Sequence, residues 1–298
     1  MKLSVSLLVV VVGSSTAFAD SKAWTTGKSV LPASAKIVGG MSAASVRNSG
    51  LYQQALPLMM AKAGDAKLAL DAIQKECNID LIASIDSVAL GLDNDGVGTF
   101  VIALKGTNHK ALDACAQKVG KAQGKTITIT GDGKLTKYDG MGDKPIWLDW
   151  LASDVFALTT SPDDKDASLK LIAGGVTGVK SLKTALGNVN KSASLWFVVD
   201  KEVPLTDLGG TMTQMYGTAK VANKKIDLDG HVVTSDAKAA SLIATGANKK
   251  IADAVASGNQ TLKTALASVT ITAKGNEVVS TASISEDDVL PLAMNLMR

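Results

Sequence analysis

The stretch that decides the fold is IDSVALGLDNDGVGTFVIALK, Ile85 to Lys105. Ile85 to Leu92 reads as a strand, and Thr99 to Lys105 as its return. Between them Asp93-Asn94-Asp95-Gly96 forms a turn, since Asp, Asn and Gly tolerate positive φ. The next segment, His109 to Lys121, changes period: Leu112, Cys115, Ala116 and Val119 fall on one helical face. Lys125 to Thr130 then alternates Thr and Ile as a half-buried strand does, and Gly131-Asp132-Gly133 turns it into Leu135 to Tyr138. Ile146 to Leu151 and Val155 to Thr160 add two strands, and Asp163 to Ala173 a helix. Hairpins interrupted by helices specify an α+β fold: mostly antiparallel sheet with helices packed on one face.

Working outward, this order of elements begins again. Ser194 to Asp200 is a buried strand and Leu205 to Met215 a short helix. Tyr216 to Leu228 and Gly230 to Thr234 are strands turning at Asp229-Gly230. Ala237 to Ala256 is a helix capped by Ser235 or Asp236. Val269 to Ala273 and Glu277 to Ile284 make a last hairpin, and Asp287 to Arg298 a last helix. Ile85 to Lys118 can be laid on Tyr216 to Lys250. The reading is an internal repeat giving two similar lobes, 32–190 and 191–298, on two sheets or on one sheet about a pseudo-twofold axis. Upstream, Leu51 to Cys77 carries helix formers divided by Pro57 and Gly64. Residues 20–31 have no period and read as a flexible arm.

Residues 1–19 read as a cleavable export signal. Lys2 is the positive n-region, Leu3 to Val12 the apolar h-region, and Ala17-Phe18-Ala19 the small-x-small site before Asp20. The apolar run is shorter than the ~20 residues a membrane span needs, and no later run is longer. The mature chain is expected in the periplasm or secreted, without a membrane span. Cleavage removes Lys2 and leaves 30 basic against 28 acidic residues. Lysines are scattered and arginine occurs only at Arg47 and Arg298. Nucleic-acid binding, which needs clustered basic residues, is not expected. Apolar residues are 46% of the chain but aromatics only 4%, so the core must be built from Ala, Val, Leu and Ile.

Cys77 and Cys115 are the only thiols. In an oxidising compartment an even pair forms a bridge, and no CxxC spacing marks a redox motif. Closing that loop stabilises by roughly 4 kcal/mol in the chain-entropy model.

The chemistry-bearing motifs are absent or incomplete. His109 and His231 are the only histidines. They do not align in the repeat, and both read as exposed turn residues, so no metal site is expected. The string Gly120 to Thr126 approaches a P-loop, but it follows a helix and enters a strand, the reverse of what phosphate binding requires. A helix end and turn account for it. Ser235-Asp236-Ala237-Lys238 has Ser-x-x-Lys spacing without its companion strings. Asp93 to Gly96 and Asp227 to Gly230 fall short of a calcium loop and read as hairpin turns. No catalytic or cofactor-binding residue is assigned, and no cofactor is expected. Trp147 and Trp150, three apart in a strand, face opposite sides. One of them is a candidate contact for a ligand or partner, with filled core as the alternative for both.

The run Leu31-Pro32-Ala33, the string Cys77-Asn78-Ile79-Asp80 with Ile85-Asp86-Ser87-Val88, and the helix bearing Cys115 resemble uncharacterised exported proteins of myxobacterium-like Gram-negative bacteria. That resemblance implies a periplasmic or cell-surface setting and no activity. The function expected is a non-catalytic envelope protein binding a ligand or partner protein. An exported hydrolase with Asp/Glu acid-base residues, or a structural part of a surface assembly, are the alternatives.

Overall fold

The computed structural model describes residues 20–62, 64–141, 143–257 and 260–289. The expected signal segment and most of the expected last helix lie outside them. The N-terminal elements are α1 (Lys22–Gly27), β1 (Ile37–Ser42), α2 (Ala43–Arg47), α3 (Gly50–Lys62), α4 (Asp65–Cys77) and α5 (Leu81–Ser84). Helix α3 runs through Pro57, so the division falls at Gly64 alone, where φ is +49°. The deciding hairpin is β2 (Ile85–Leu92) and β3 (Gly98–Leu104). Asp93 Oδ1 closes its turn by accepting from the amides of Asp95 and Val97, both at 2.9 Å. Next come α6 (His109–Ala122), β4 (Thr128–Asp132), β5 (Leu135–Asp139), β6 (Ile146–Ala152), β7 (Val155–Thr159), α7 (Lys165–Leu171) and α8 (Lys180–Asn188). The remainder is β8 (Leu195–Val199), β9 (Val203–Leu205), β10 (Gly210–Ala222), β11 (Lys225–Thr234), α9 (Ala237–Ser257), α10 (Gln260–Leu266), β12 (Thr270–Lys274) and β13 (Glu277–Ser285).

The strands form one antiparallel sheet in the order β12-β13-β11-β10-β8-β1-β2-β3-β7-β6-β5-β4, with β9 paired to β10. It is continuous across the expected junction at 190/191, because β1 pairs β2 on one edge and β8 on the other. To one side the path is β1-β2-β3 with β7 beyond β3. To the other it is β8-β10-β11 with β13 beyond β11.

Side chains alternate between faces. One face is the main core, where Trp24 of α1 and Leu182 and Ala185 of α8 meet Val38, Val101, Ala157, Trp196 and Val198 of the sheet. The other face carries helices too, so the expected one-sided packing is extended. Ala240, Ile243 and Ala244 of α9 cover Val278 there, with Val232 and Ile271 beside it. Cross-strand register links that patch to the region under α6: Phe156, Ile102, Val88, Met41, Leu195, Ala219 and Leu228 are successive partners across seven strands.

Three expectations are corrected. Residues 20–31 are not a flexible arm: Ser21 Oγ caps α1, and Ala23, Trp24 and Leu31 are buried. Trp24 meets Trp196 edge-on, ring centroids 4.9 Å apart, which fixes the segment by apolar burial. The segment 205–215 is strand and a short turn rather than helix. The hairpin turns at Asn223-Lys224, both at positive φ, instead of Asp229-Gly230. Gly230 sits inside β11 opposite Gly217; two left-handed residues in succession make the primed turn that suits strand twist.

Candidate functional site

Helix α6 decides the site. Asn108 caps it, its Oδ1 accepting from the amide of Ala111 at 3.0 Å. Gly124, at φ +69°, ends it. Gly120 lets the helix lie against the segment that follows it, since a Cβ there would stand 2.3 Å from Ile127 Cγ1. The P-loop-like string is therefore a helix end and a close packing contact. The apolar face read from the sequence points at the sheet, and Cys115 reaches Cys77 at the end of α4, the two Cα atoms 5.6 Å apart. That bridge lies within ordinary disulfide span. Lys118 Nζ adds a hydrogen bond to the carbonyl of Glu76.

Under this clasp lies a cavity of about 270 Å³. Its roof is Ala69 and Ile73 of α4 with Leu112, Cys115, Ala116 and Val119 of α6. Its floor is Tyr138, Ile146, Leu148, Trp150 and Phe156. Gln123 is the one other polar side chain among the described residues of the wall.

The two tryptophans separate as strand geometry requires. Trp147 is 8% exposed and belongs to the main core, with the ammonium groups of Lys137 and Lys165 6.0 and 5.5 Å from its ring. Its place is the filled-core alternative that the sequence offered for either tryptophan. Trp150 faces the cavity.

A polar cluster closes one end. Tyr138 Oη donates to Asp113 Oδ1 at 2.7 Å and accepts from Trp150 Nε1 at 3.0 Å. Burial, then the bond to Asp113, holds the phenol well above the usual tyrosine range. His109 stacks on Trp150, ring centroids 4.1 Å apart and planes 14° from parallel. Its Nε2 lies 3.1 Å from Asp113 Oδ2 but off hydrogen-bond geometry.

His231 sits in a comparable setting on the opposite sheet face. It stacks on Tyr216 at 4.6 Å, and Tyr216 Oη donates to Glu277 Oε1 at 2.7 Å. Burial, then the Glu277 bond, raises the Tyr216 pKa. Both histidines are thus part-buried and stacked, which corrects their reading as exposed turn residues. The fold does not bring them together. Among the described residues no group of three or more His, Cys, Asp or Glu could hold a metal ion, and no helix is long and apolar enough to cross a membrane.

Sequence reasoning missed Tyr138, Asp113 and Glu277, whose partners are distant in sequence. The signal for Tyr216 and His231 was their cross-strand pairing, visible only once the turn is placed at Asn223-Lys224.

No protein-family model matches this chain, and no curated protein matches it either. Solved structures of the treponemal protein TP0453 are similar in two crystal forms. Form III has a TM-score of 0.51 at 11% identity, over 88% of this chain and 95% of that one. Form I has a TM-score of 0.51 at 10% identity, over 91% and 97%. At such identity the likeness, which spans most of both chains, is one of fold.

Proposed function

We propose that this protein is a non-catalytic exported envelope protein that binds a small apolar ligand in the cavity beneath the Cys77–Cys115 bridge. One observation carries the reading: a concave, apolar space under a covalently clasped helix, with a single polar cluster at one end. Such sites are the default places for small molecules to bind. Tyr138, Asp113 and Trp150 at the cavity end are engaged with one another, which favours binding over hydrolysis by Asp/Glu acid-base residues. Trp150 is the expected ligand contact.

Export through residues 1–19 to the periplasm or medium belongs to the same reading, supported by the disulfide. The like strand order around β1 and β8 supports descent of the two halves from one duplicated unit.

The test is fluorescence titration of the purified, oxidised protein with N-phenyl-1-naphthylamine. Saturable enhancement is expected, and Ala116→Trp, which fills the space, abolishes it. Absence of saturable binding by the native chain overturns the reading. Amino-terminal sequencing of protein from the envelope fraction should begin at Asp20.

A further inference from the structure

The cavity's lining and its one polar end also restrict the charge of what can enter. This inference rests on the binding reading above and specifies its ligand class. Among the described residues the walls carry no lysine, arginine or histidine. At the polar end stands Tyr138, whose hydroxyl proton is committed to Asp113 Oδ1 at 2.7 Å. Trp150 Nε1 donates to the same oxygen, so the phenol has no proton left to give a ligand. The end group of a ligand therefore finds no lysine or arginine and no free phenol proton; beyond the phenol stand the Asp113 carboxylate and His109, whose Nε2 is 3.1 Å from Asp113 Oδ2.

We infer that the cavity selects an uncharged, chain-like molecule ending in a hydrogen-bond donor, such as a primary alcohol, and rejects the carboxylate of the same length. An alcohol donates to the Gln123 amide oxygen and leaves its chain against Leu112, Leu148 and Phe156. A carboxylate brings acceptors only. It must enter charged near Asp113 with only the neutral Gln123 amide to donate to it, or take up a proton first, and both cost affinity.

The experiment is competition against N-phenyl-1-naphthylamine at pH 8 with 1-decanol, decanoate and methyl decanoate on the oxidised full chain. Decanol is expected to compete about tenfold or more better than decanoate. The methyl ester, which removes the charge but donates nothing, is expected to fall between. In Asp113→Asn the gap between alcohol and acid shrinks, chiefly because decanoate improves. Equal competition by alcohol and acid, or better competition by the acid, overturns this inference while the binding reading stands. Failure of all three to displace bound probe also overturns it. Failure of the probe itself to bind overturns the binding reading instead. The ester keeps the test independent of whether Asp113→Asn folds.

Discussion

Trp150 lies nearly flat on His109 while its indole nitrogen donates to Tyr138. The ring is thereby held from two elements, the first turn of α6 and strand β5. Tyr138→Phe leaves the indole N–H and the Asp113 carboxylate without their shared partner. We expect a loss of about 1–3 kcal/mol, read from urea unfolding. Trp150→Phe keeps a ring against His109 but removes the donor and is expected to cost about 1 kcal/mol. A smaller loss for Tyr138→Phe than for Trp150→Phe would show that the hydroxyl is not the centre of the cluster.

The bridge Cys77–Cys115 closes a separation of 38 residues. Replacing both cysteines by serine is expected to lower stability by about 2–4 kcal/mol. Because α4 supplies the cavity roof, the same variant is expected to bind the naphthylamine probe more weakly. Treatment of the native chain with a dithiol should reproduce the loss, and the double serine variant should not respond to it.

Asp149 is 4% exposed, and Lys134 Nζ stands 3.4 Å from its Oδ2. Burial raises its pKa above 3.8, only partly offset by Lys134. A folded value above the unfolded one means that the native state holds its proton more tightly. The stability this group contributes is full below pH 3.8 and declines as pH rises through the raised folded value. The stability of the native chain relative to Asp149→Asn is therefore expected to be higher at pH 4 than at pH 8. An unchanged difference in chemical denaturation at the two pH values would refute this.

Trp24 is 4% exposed in the segment that lacks any sequence period. Trp24→Ala is expected to cost about 3–5 kcal/mol, against nearly nothing for a flexible arm. Thermal unfolding separates the two outcomes.

At Asn223-Lys224, φ is +54° and +58°. Lys224→Gly makes the Asn-Gly pair that such turns favour and relieves about 1 kcal/mol of left-handed strain, partly offset by unfolded-chain entropy. A small rise in the urea midpoint is the expected result.

The sequence made local structure legible where turn chemistry and period agreed. The β2–β3 hairpin, the apolar face of α6 and the Cys77–Cys115 pair stand where they were expected. The β10–β11 hairpin was misplaced because Asp229-Gly230 is the stronger turn signal, whereas the turn is set by the β10–β11 register, with β13 pairing along the length of β11. Helix α1 was invisible because six residues carry no readable period and its stability comes from Val101 and Trp196, far along the chain. The polar cluster was invisible for the same reason: Asp113, Tyr138 and Trp150 lie on three elements that only the finished sheet brings together.

The pairing of β1 with β8 joins residue 39 to residue 197. A polypeptide synthesised amino-terminus first delivers β1 long before the strand that completes it. Until Leu195 to Val199 arrive, one edge of the future sheet centre offers bare amides and carbonyls to any neighbouring chain. Non-local closure of this kind is slow, so a growing chain stalled before residue 195 should be the species most prone to aggregate.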